Sequence, residues 1–306
     1  MMKQKIILFL ALCGLLVSCS DSEDTSPSYA DQNLFAPSDD DHSETAQIER
    51  DFYKNNGCYL LFNDTLKSEQ NGVDAYGNPI WKHQLIDVGY PVIGDMGASY
   101  EYTYKYVTDT ELQKKAADLV SSKIAKVLGK GSPYSILVVD SIYTWTYSDG
   151  RRQLATVSSW SDELLVNKYL NGTRCIAVCL WNGEAFKDDS YFQDVIQDVV
   201  YSKLSHIDQA KLKEFYSTGL PYYQAYKGDL GYPYVVDDDL ARSLGFWADY
   251  NAYFLALKSD DLRKFSDAVC TYSLEEVQEM MQDYPLVIKR FEMIRNILLS
   301  LGINLK

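Results

Sequence analysis

DVVYSKLSHIDQ, residues 198–209, is the stretch on which the reading of this chain turns. Running into it, Phe192, Val195, Ile196, Val199 and Val200 recur at the three-and-four spacing of one helical face, so the pattern predicts an amphipathic helix from about Ser190 to Phe215. Continued along the same stripe, the next positions are Ser202, Lys203 and His206. The apolar face therefore turns polar toward its C-terminal end. A lysine on such a stripe either snorkels outward or lines a cleft.

Working outward, strand-like runs precede this helix. GCYLLFND (57–64), SILVVDSIYTWTY (135–147), QLATVSSW (153–160) and TRCIAVCLWNG (173–183) are β-rich or alternate residue by residue. The turn-rich and tyrosine-rich segment from Leu66 to Val107 reads as a hairpin or long insertion, with ASYEYTYKYV alternating as an exposed strand does. Thr108 and Glu111 form a capping box before the apolar positions 112–128, and Gly129 stops that helix. STGLPYYQAYKGDLGYPYVVDDD (217–239) is a loop. Beyond it the pattern predicts helices over Asp239–Leu257 and Ser259–Cys270, a third capped by Ser273 and Glu276, and a last one opened by Pro285 and stopped at Gly302. The fold class is α+β: a small mixed sheet with helices over 51–215, then an all-helical half over 216–306.

The N-terminus carries an address. Lys3 and Lys5 precede the apolar run Ile6 to Val17, which has the size of a signal h-region and is too short to span a bilayer. Leu16-Val17-Ser18-Cys19 resembles a bacterial lipobox, which implies that residues 1–18 are removed and Cys19 is lipidated. An ordinary signal peptide that contains a cysteine is the alternative, and the order of small and apolar residues favours the lipoprotein. Residues 19–50 are polar and acidic without an apolar period, which predicts a disordered tether. An acidic stretch directly after the lipidated cysteine resembles the export signals of surface-exposed lipoproteins. The expected location is the outer membrane, lipid-anchored and facing the cell exterior.

The formal charge of the 306-residue chain is −14, which argues against nucleic acid or anionic headgroups as partners. Four cysteines remain beyond Cys19: Cys58, Cys175, Cys179 and Cys270. Their pairing is open. Cys175 and Cys179 alternate within one strand about 13 Å apart, too far to bridge to each other. The plain reading is small buried thiols. No Cys-x-x-Cys pair exists to begin a zinc cluster.

The five positions Ser202-Lys203-Leu204-Ser205-His206 resemble, in their place after a small sheet, the His-Glu-x-x-His helix of zincin metallopeptidases. More widely, FYKNNGCYLLFND, SPYSILVVDSI and the tail from YFLALKSDDL to ILLSLGINL look like a family of lipoproteins identified with zinc-binding metallopeptidases. In that family a downstream helix completes the metal site with acidic residues, and the matching segment here is Asp249-Tyr250-Asn251-Ala252-Tyr253. The resemblance implies a zincin-like domain over 51–306 whose motif positions are Ser202, Lys203, His206 and Asp249.

The departures from that motif are chemical. A catalytic zinc is held by about three protein ligands, and a glutamate activates its water. The mature chain has three histidines, and His42 and His83 lie far from this helix in sequence. Lys203 stands where the glutamate would be, and its charge repels a cation. The expectation is a degenerate site with no catalytic residue, no metal and no cofactor. Zinc would enter only if this reading is wrong.

Without zinc, three functions compete. The first is a binding or accessory module for peptide or glycan. Tyrosine occurs 25 times, and Tyr222, Tyr223, Tyr226, Tyr232 and Tyr234 gather in one loop that would border a zincin cleft. Tyrosines are also ordinary strand filler, which is the competing reading for SYEYTYKY. The second is an active zinc-dependent peptidase with an atypical site. The third is a scaffold subunit beside an outer-membrane transporter. No phosphate loop, dinucleotide fingerprint or nucleophile elbow is present.

Overall fold

The computed structural model describes residues 33–86, 88, 100–148, 150–158, 161–165, 167–172 and 174–305. The signal sequence, Cys19 and the first part of the expected tether lie outside the described residues. From Phe35 to Lys306 the chain forms one compact unit.

That unit begins earlier than the boundary at residue 51. Ser43 accepts a hydrogen bond from the Ala46 N–H at 3.2 Å and opens helix α1, Glu44–Asn56. Ala46 and Phe52 are buried on it, and Phe35 is buried ahead of it. The run Asp39–Asp41 hides this apolar period in the sequence, so the last residues of the expected tether belong to the fold.

The sheet is built around one long strand. Strands β1 (Tyr59–Leu61), β2 (Thr65–Val73), β3 (Pro79–Leu85), β4 (Glu101–Tyr106), β5 (Ser135–Ser148), β6 (Arg151–Leu154), β7 (Tyr169–Asn171) and β8 (Cys175–Cys179) follow in chain order. The run SILVV of β5 is flanked by β1 and β8, both parallel to it: Leu137 faces Leu61 on one side and Ala177 on the other. Val139 pairs with both Tyr106 and Cys179, so antiparallel β4 extends the edge that β1 begins. β6 continues the opposite edge, and β7 closes that side antiparallel to β8. β2 and β3 form a separate hairpin whose strands are mostly exposed. It fulfils the hairpin expected within 66–107, while β4 leaves that segment to join the main sheet.

Alternation divides the buried strands between two cores. Ile136, Val138, Ile176 and Val178 face the larger core, with Val195, Ile196, Val200 and Leu204 of helix α3, Gln193–Ser205. Leu137, Val139, Cys175, Ala177 and Cys179 face a smaller core closed by Phe35, Ile86 and Val88. Both faces are covered, which is why these strands are continuously apolar. Cys58, Cys175, Cys179 and Cys270 are all free thiols.

Helix α2 (Thr110–Val120) is capped by Asp109, which accepts from the Leu112 N–H at 2.8 Å; Thr108, the expected cap, lies one residue outside. It runs on through a π-helical turn, Ser121–Ala125, to Leu128. The helix expected over 190–215 breaks after α3. His206 ends it, Asp208 caps a 3₁₀ turn, and α4 (Lys213–Gly219) follows. The second half is not all helical. The helix expected over Asp239–Leu257 is only α5, Asp238–Ser243, because Gly245 turns the chain at φ +91° and the Asp249 and Asn251 side chains bond backbone N–H groups instead. Helices α6 (Lys258–Thr271), α7 (Leu274–Met280) and α8 (Pro285–Ser300) match expectation, with the Ser273–Glu276 capping box in place. The architecture is mixed α and β, with a small open sheet and helices. Among the described residues no helix is long and apolar enough to cross a membrane.

Arg290 of α8 is fully buried. It donates to the Gly245 carbonyl at 2.6 Å and the Tyr223 hydroxyl at 2.8 Å, and it pairs with the Asp261 carboxylate of α6. Its guanidinium carbon stands 4.2 Å from the Phe215 ring centroid and 4.9 Å from that of Phe265. Burial pushes the Asp261 carboxyl above its ordinary value, against the pull of Arg290. Removing one partner of a buried pair costs about 3–5 kcal/mol. Arg290→Leu is therefore expected to lower unfolding free energy by about that amount in urea denaturation, with Asp261 taking a proton.

Candidate functional site

The polar end of α3 has a local explanation for each of its three residues. The Lys203 ammonium reaches the Leu128 carbonyl at 3.5 Å, at the C-terminal end of the helix that α2 begins. A cation there complements the exposed carbonyls and the helix dipole. Partial burial lowers the Lys203 pKa. His206 is the C-cap residue of α3; its Nδ1 lies 2.7 Å from the Ser202 carbonyl and 3.2 Å from the Ser205 hydroxyl. Ser202 itself is exposed.

Asp249, the fourth motif position, lies in a different environment. Its carboxylate pairs with the Lys227 ammonium, and both side chains are excluded from solvent, at 1% and 0% exposure. It also accepts from the Asp237 N–H at 2.8 Å, while Lys227 donates to the Val235 carbonyl at 2.7 Å. Every described polar contact of Asp249 is to residues between Lys227 and Asn251, and those of His206 are to its own helix. Among the described residues no group of three or more His, Cys, Asp or Glu is placed to hold a metal ion. Lys203, His206 and the paired Asp249 do not form a donor set that fits zinc.

Lys227 and Asp249 hold together two strand-like segments. Lys227 N–H donates to the Tyr253 carbonyl at 2.9 Å, Leu255 N–H to Ala225 at 3.0 Å, and Gln224 N–H to Ala256 at 3.2 Å. Tyr226 and Phe254 face each other as a bridge in this short ladder. Lys227, Leu255 and Ala256 are buried beneath this ladder, while Tyr226, Tyr253 and Phe254 are exposed on it. A row of four rings results. Tyr226 stands 5.4 Å from Phe254 and 5.5 Å from Tyr234, and Tyr234 stands 5.8 Å from Tyr253. All are open to solvent, from 36% for Tyr226 to 55% for Tyr253. Exposed Val235 and Val236 extend the surface.

The five tyrosines singled out from sequence divide. Tyr226 and Tyr234 belong to the exposed row. Tyr222, Tyr223 and Tyr232 instead pack on a small core of Ala241, Leu244, Phe246, Leu255 and Ala256. Tyr223 also donates to Asp261 at 2.5 Å, and burial raises its pKa. Tyr253 and Phe254 were missed because a helix was expected there. Asn251, whose side chain accepts from the Tyr253 N–H at 2.8 Å, is the residue that could have signalled a turn.

Two larger clefts, about 480 and 470 Å³, run along the seam of α1 and α2. Their lining mixes helix-surface polar side chains such as Asn55, Asp118 and Ser121 with apolar Ile48, Phe52 and Ala117. The aromatic row is the better candidate because its rings are exposed and fixed from beneath by a dry ion pair. Comparison with family models, with curated proteins and with solved structures finds no match.

Lys227→Met leaves Asp249 buried without its counter-charge, and a loss of about 3–5 kcal/mol is expected. Adding Asp249→Asn should recover part of it, since the unpaired charge is gone and the amide oxygen still accepts from the Asp237 N–H, while the second oxygen, which accepts from the Tyr250 N–H, is lost. Urea denaturation measures the energies, and hydrogen exchange at 224–227 and 253–256 shows whether the ladder opens.

Proposed function

We propose that this chain is a lipid-anchored, outward-facing module of the outer membrane that binds rather than cuts, with the row Phe254–Tyr226–Tyr234–Tyr253 as its contact surface. The single observation that carries this is four exposed rings in mutual contact on a segment anchored by a buried ion pair. Large rings left in water need a reason, and a ligand is the economical one. Rigid tyrosines give contact area at low entropic cost. Their flat faces and hydroxyl tips suit sugar rings, so a glycan is the first ligand class and a peptide the second.

In this reading the domain descends from a zincin-like peptidase and has lost its chemistry. Support comes from the order of elements, a small mixed sheet followed by the helix bearing Ser202, Lys203 and His206, and from Lys203 at the position of the general base. Anchoring at Cys19 rests on the sequence of the leader. A neighbouring outer-membrane transporter is an accessory partner to look for by co-purification.

Glycan and peptide arrays probed with the soluble chain from Ser20 test the proposal. Tyr234→Ala is expected to weaken binding about tenfold, the loss of one stacked ring. Gly228→Ala should do the same without removing a ring, because a Cβ there stands 2.8 Å from Tyr226 Cε1 and crowds both tyrosines. Binding that survives both changes sinks the contact surface.

Metal content provides a separate check. After equilibration with zinc and desalting, elemental mass spectrometry is expected to find no stoichiometric metal. One zinc per chain that disappears with His206→Ala would restore the peptidase reading.

A further inference from the structure

A second feature lies on other elements, where the start of the folded chain packs on the sheet. A notch of about 230 Å³ is lined by Phe35, Glu49, Arg50, Tyr53, Tyr59 and Leu60, among others. That is below the size of a pocket for a drug-like molecule and near that of one side chain. Glu49 and Tyr53 share one face of α1 by their i,i+4 spacing. Tyr53 stacks on Tyr59 with centroids 4.4 Å apart and planes 17° from parallel. Phe35 stands 6.1 Å from Tyr59 and 5.0 Å from Tyr134. The aromatic group already holds one cation from within: the Arg174 guanidinium carbon lies 4.5 Å from the Phe35 centroid and 4.9 Å from that of Tyr134.

We propose that this notch is a binding site for an alkylammonium group, such as the lysine side chain of a peptide. Phe35, Tyr53 and Tyr59 would wall its methylenes, and the Glu49 carboxylate would supply the counter-charge. The physical argument is the pairing of ring faces with a carboxylate in a confined place. Aromatic faces attract organic cations, more strongly where water is excluded. A half-buried carboxylate such as Glu49 gains more from an incoming positive charge than a fully exposed one does.

The charges around Glu49 shape the site. Burial pushes its carboxyl up to about 7, Asp41 pushes in the same direction, and Arg50 and the Phe62 N–H pull it down. The Arg50 guanidinium is itself held by the Asp41 carbonyl, with Nη1 at 3.0 Å. Glu49 is thus about half protonated near neutral pH. An arriving ammonium selects the ionised form, and the proton leaves to solvent. The empty protein shows the opposite trend. Its folded state keeps this proton more tightly than the unfolded chain, so stability falls as pH rises from the ordinary value of 4.5 toward about 7.

The test titrates the full chain with Nα-acetyl-lysine methylamide, and with its Nζ-acetylated counterpart as the neutral control, by NMR. Saturable binding of the first and none of the second is expected. Affinity should rise about tenfold from pH 6 to pH 8 as Glu49 ionises. Glu49→Gln should abolish binding while removing the loss of melting temperature between pH 4.5 and about 7, which shows that the variant is folded. Tyr53→Ala, at an exposed ring, should weaken binding about fivefold. Equal binding of the neutral control, an affinity that is flat with pH, or retention of binding by folded Glu49→Gln would overturn the site.

Discussion

A guanidinium taken out of water must have its partners in place, because its desolvation costs several kcal/mol that only good geometry repays. Arg290 imposes that condition on the C-terminal half of this protein. Its partners come from four places in the chain: the Gly245 turn, Tyr223 in the loop after α4, Asp261 on α6, and the ring of Phe215 at the middle of α4. None of these can move independently without leaving the charge exposed to a dry interior. The pair therefore docks α8, which carries the last large apolar face, onto α6 and the irregular segment between α4 and α6. Gly245 fits this arrangement closely. Its φ of +91° and a Cβ position 2.7 Å from Leu286 Cγ leave room only for glycine where the Arg290 side chain passes.

The segment between α4 and α6 is long for one with so little regular structure, and such segments are ordered only when something specific holds them. Here the holding is electrostatic and comes twice. Arg290–Asp261 fixes the end nearest the core, and Lys227–Asp249 fixes the outer end, under the aromatic row. A three-bond ladder between 224–227 and 253–256 connects them. For the proposed binding role the consequence is preorganisation. Rings mounted on a segment that is already ordered lose little entropy when a ligand arrives, so more of the stacking energy remains as affinity. A flexible tyrosine loop of the same composition would spend that energy on ordering itself.

The legible parts of this chain are those in which one face is apolar and the period is regular. SILVV and CIAVC announce buried strands because both faces are covered, and the Ser273–Glu276 box and Pro285 mark helix starts by their own hydrogen-bonding chemistry. What escaped notice was decided by long-range contacts. A lysine or arginine in a sequence reads as surface, since these residues are rarely buried without a partner. Nothing next to Lys227 or Arg290 announces Asp249 or Asp261, 22 and 29 residues away. The misread helix over 239–257 has the same origin. Its apolar spacing is acceptable, but Asp249 and Asn251 offer their side chains to neighbouring N–H groups, and tertiary pairing with 224–227 made the extended form win. Tyr253 and Phe254 thereby moved from a helix into the candidate site. At the other end, three consecutive aspartates masked a short apolar period and placed the domain boundary too late.

The serine, lysine and histidine at the end of α3 now have an account that requires no site. A helix that stops leaves carbonyls without donors. Lys203 serves the carbonyl of Leu128 on a neighbouring helix, and His206 lies against that of Ser202 on its own. This account and descent from a zincin are compatible, because they concern different things. Ancestry would explain why a helix after a mixed sheet carries a histidine at that position; helix-end chemistry explains what the side chain does there. What the geometry sets apart is recruitment of Asp249. Its carboxylate is committed to Lys227 in the dry interior, and withdrawing it to serve a metal would strand a buried ammonium beneath the aromatic row. The ion pair that makes the row rigid thus also keeps this acidic residue out of any metal site.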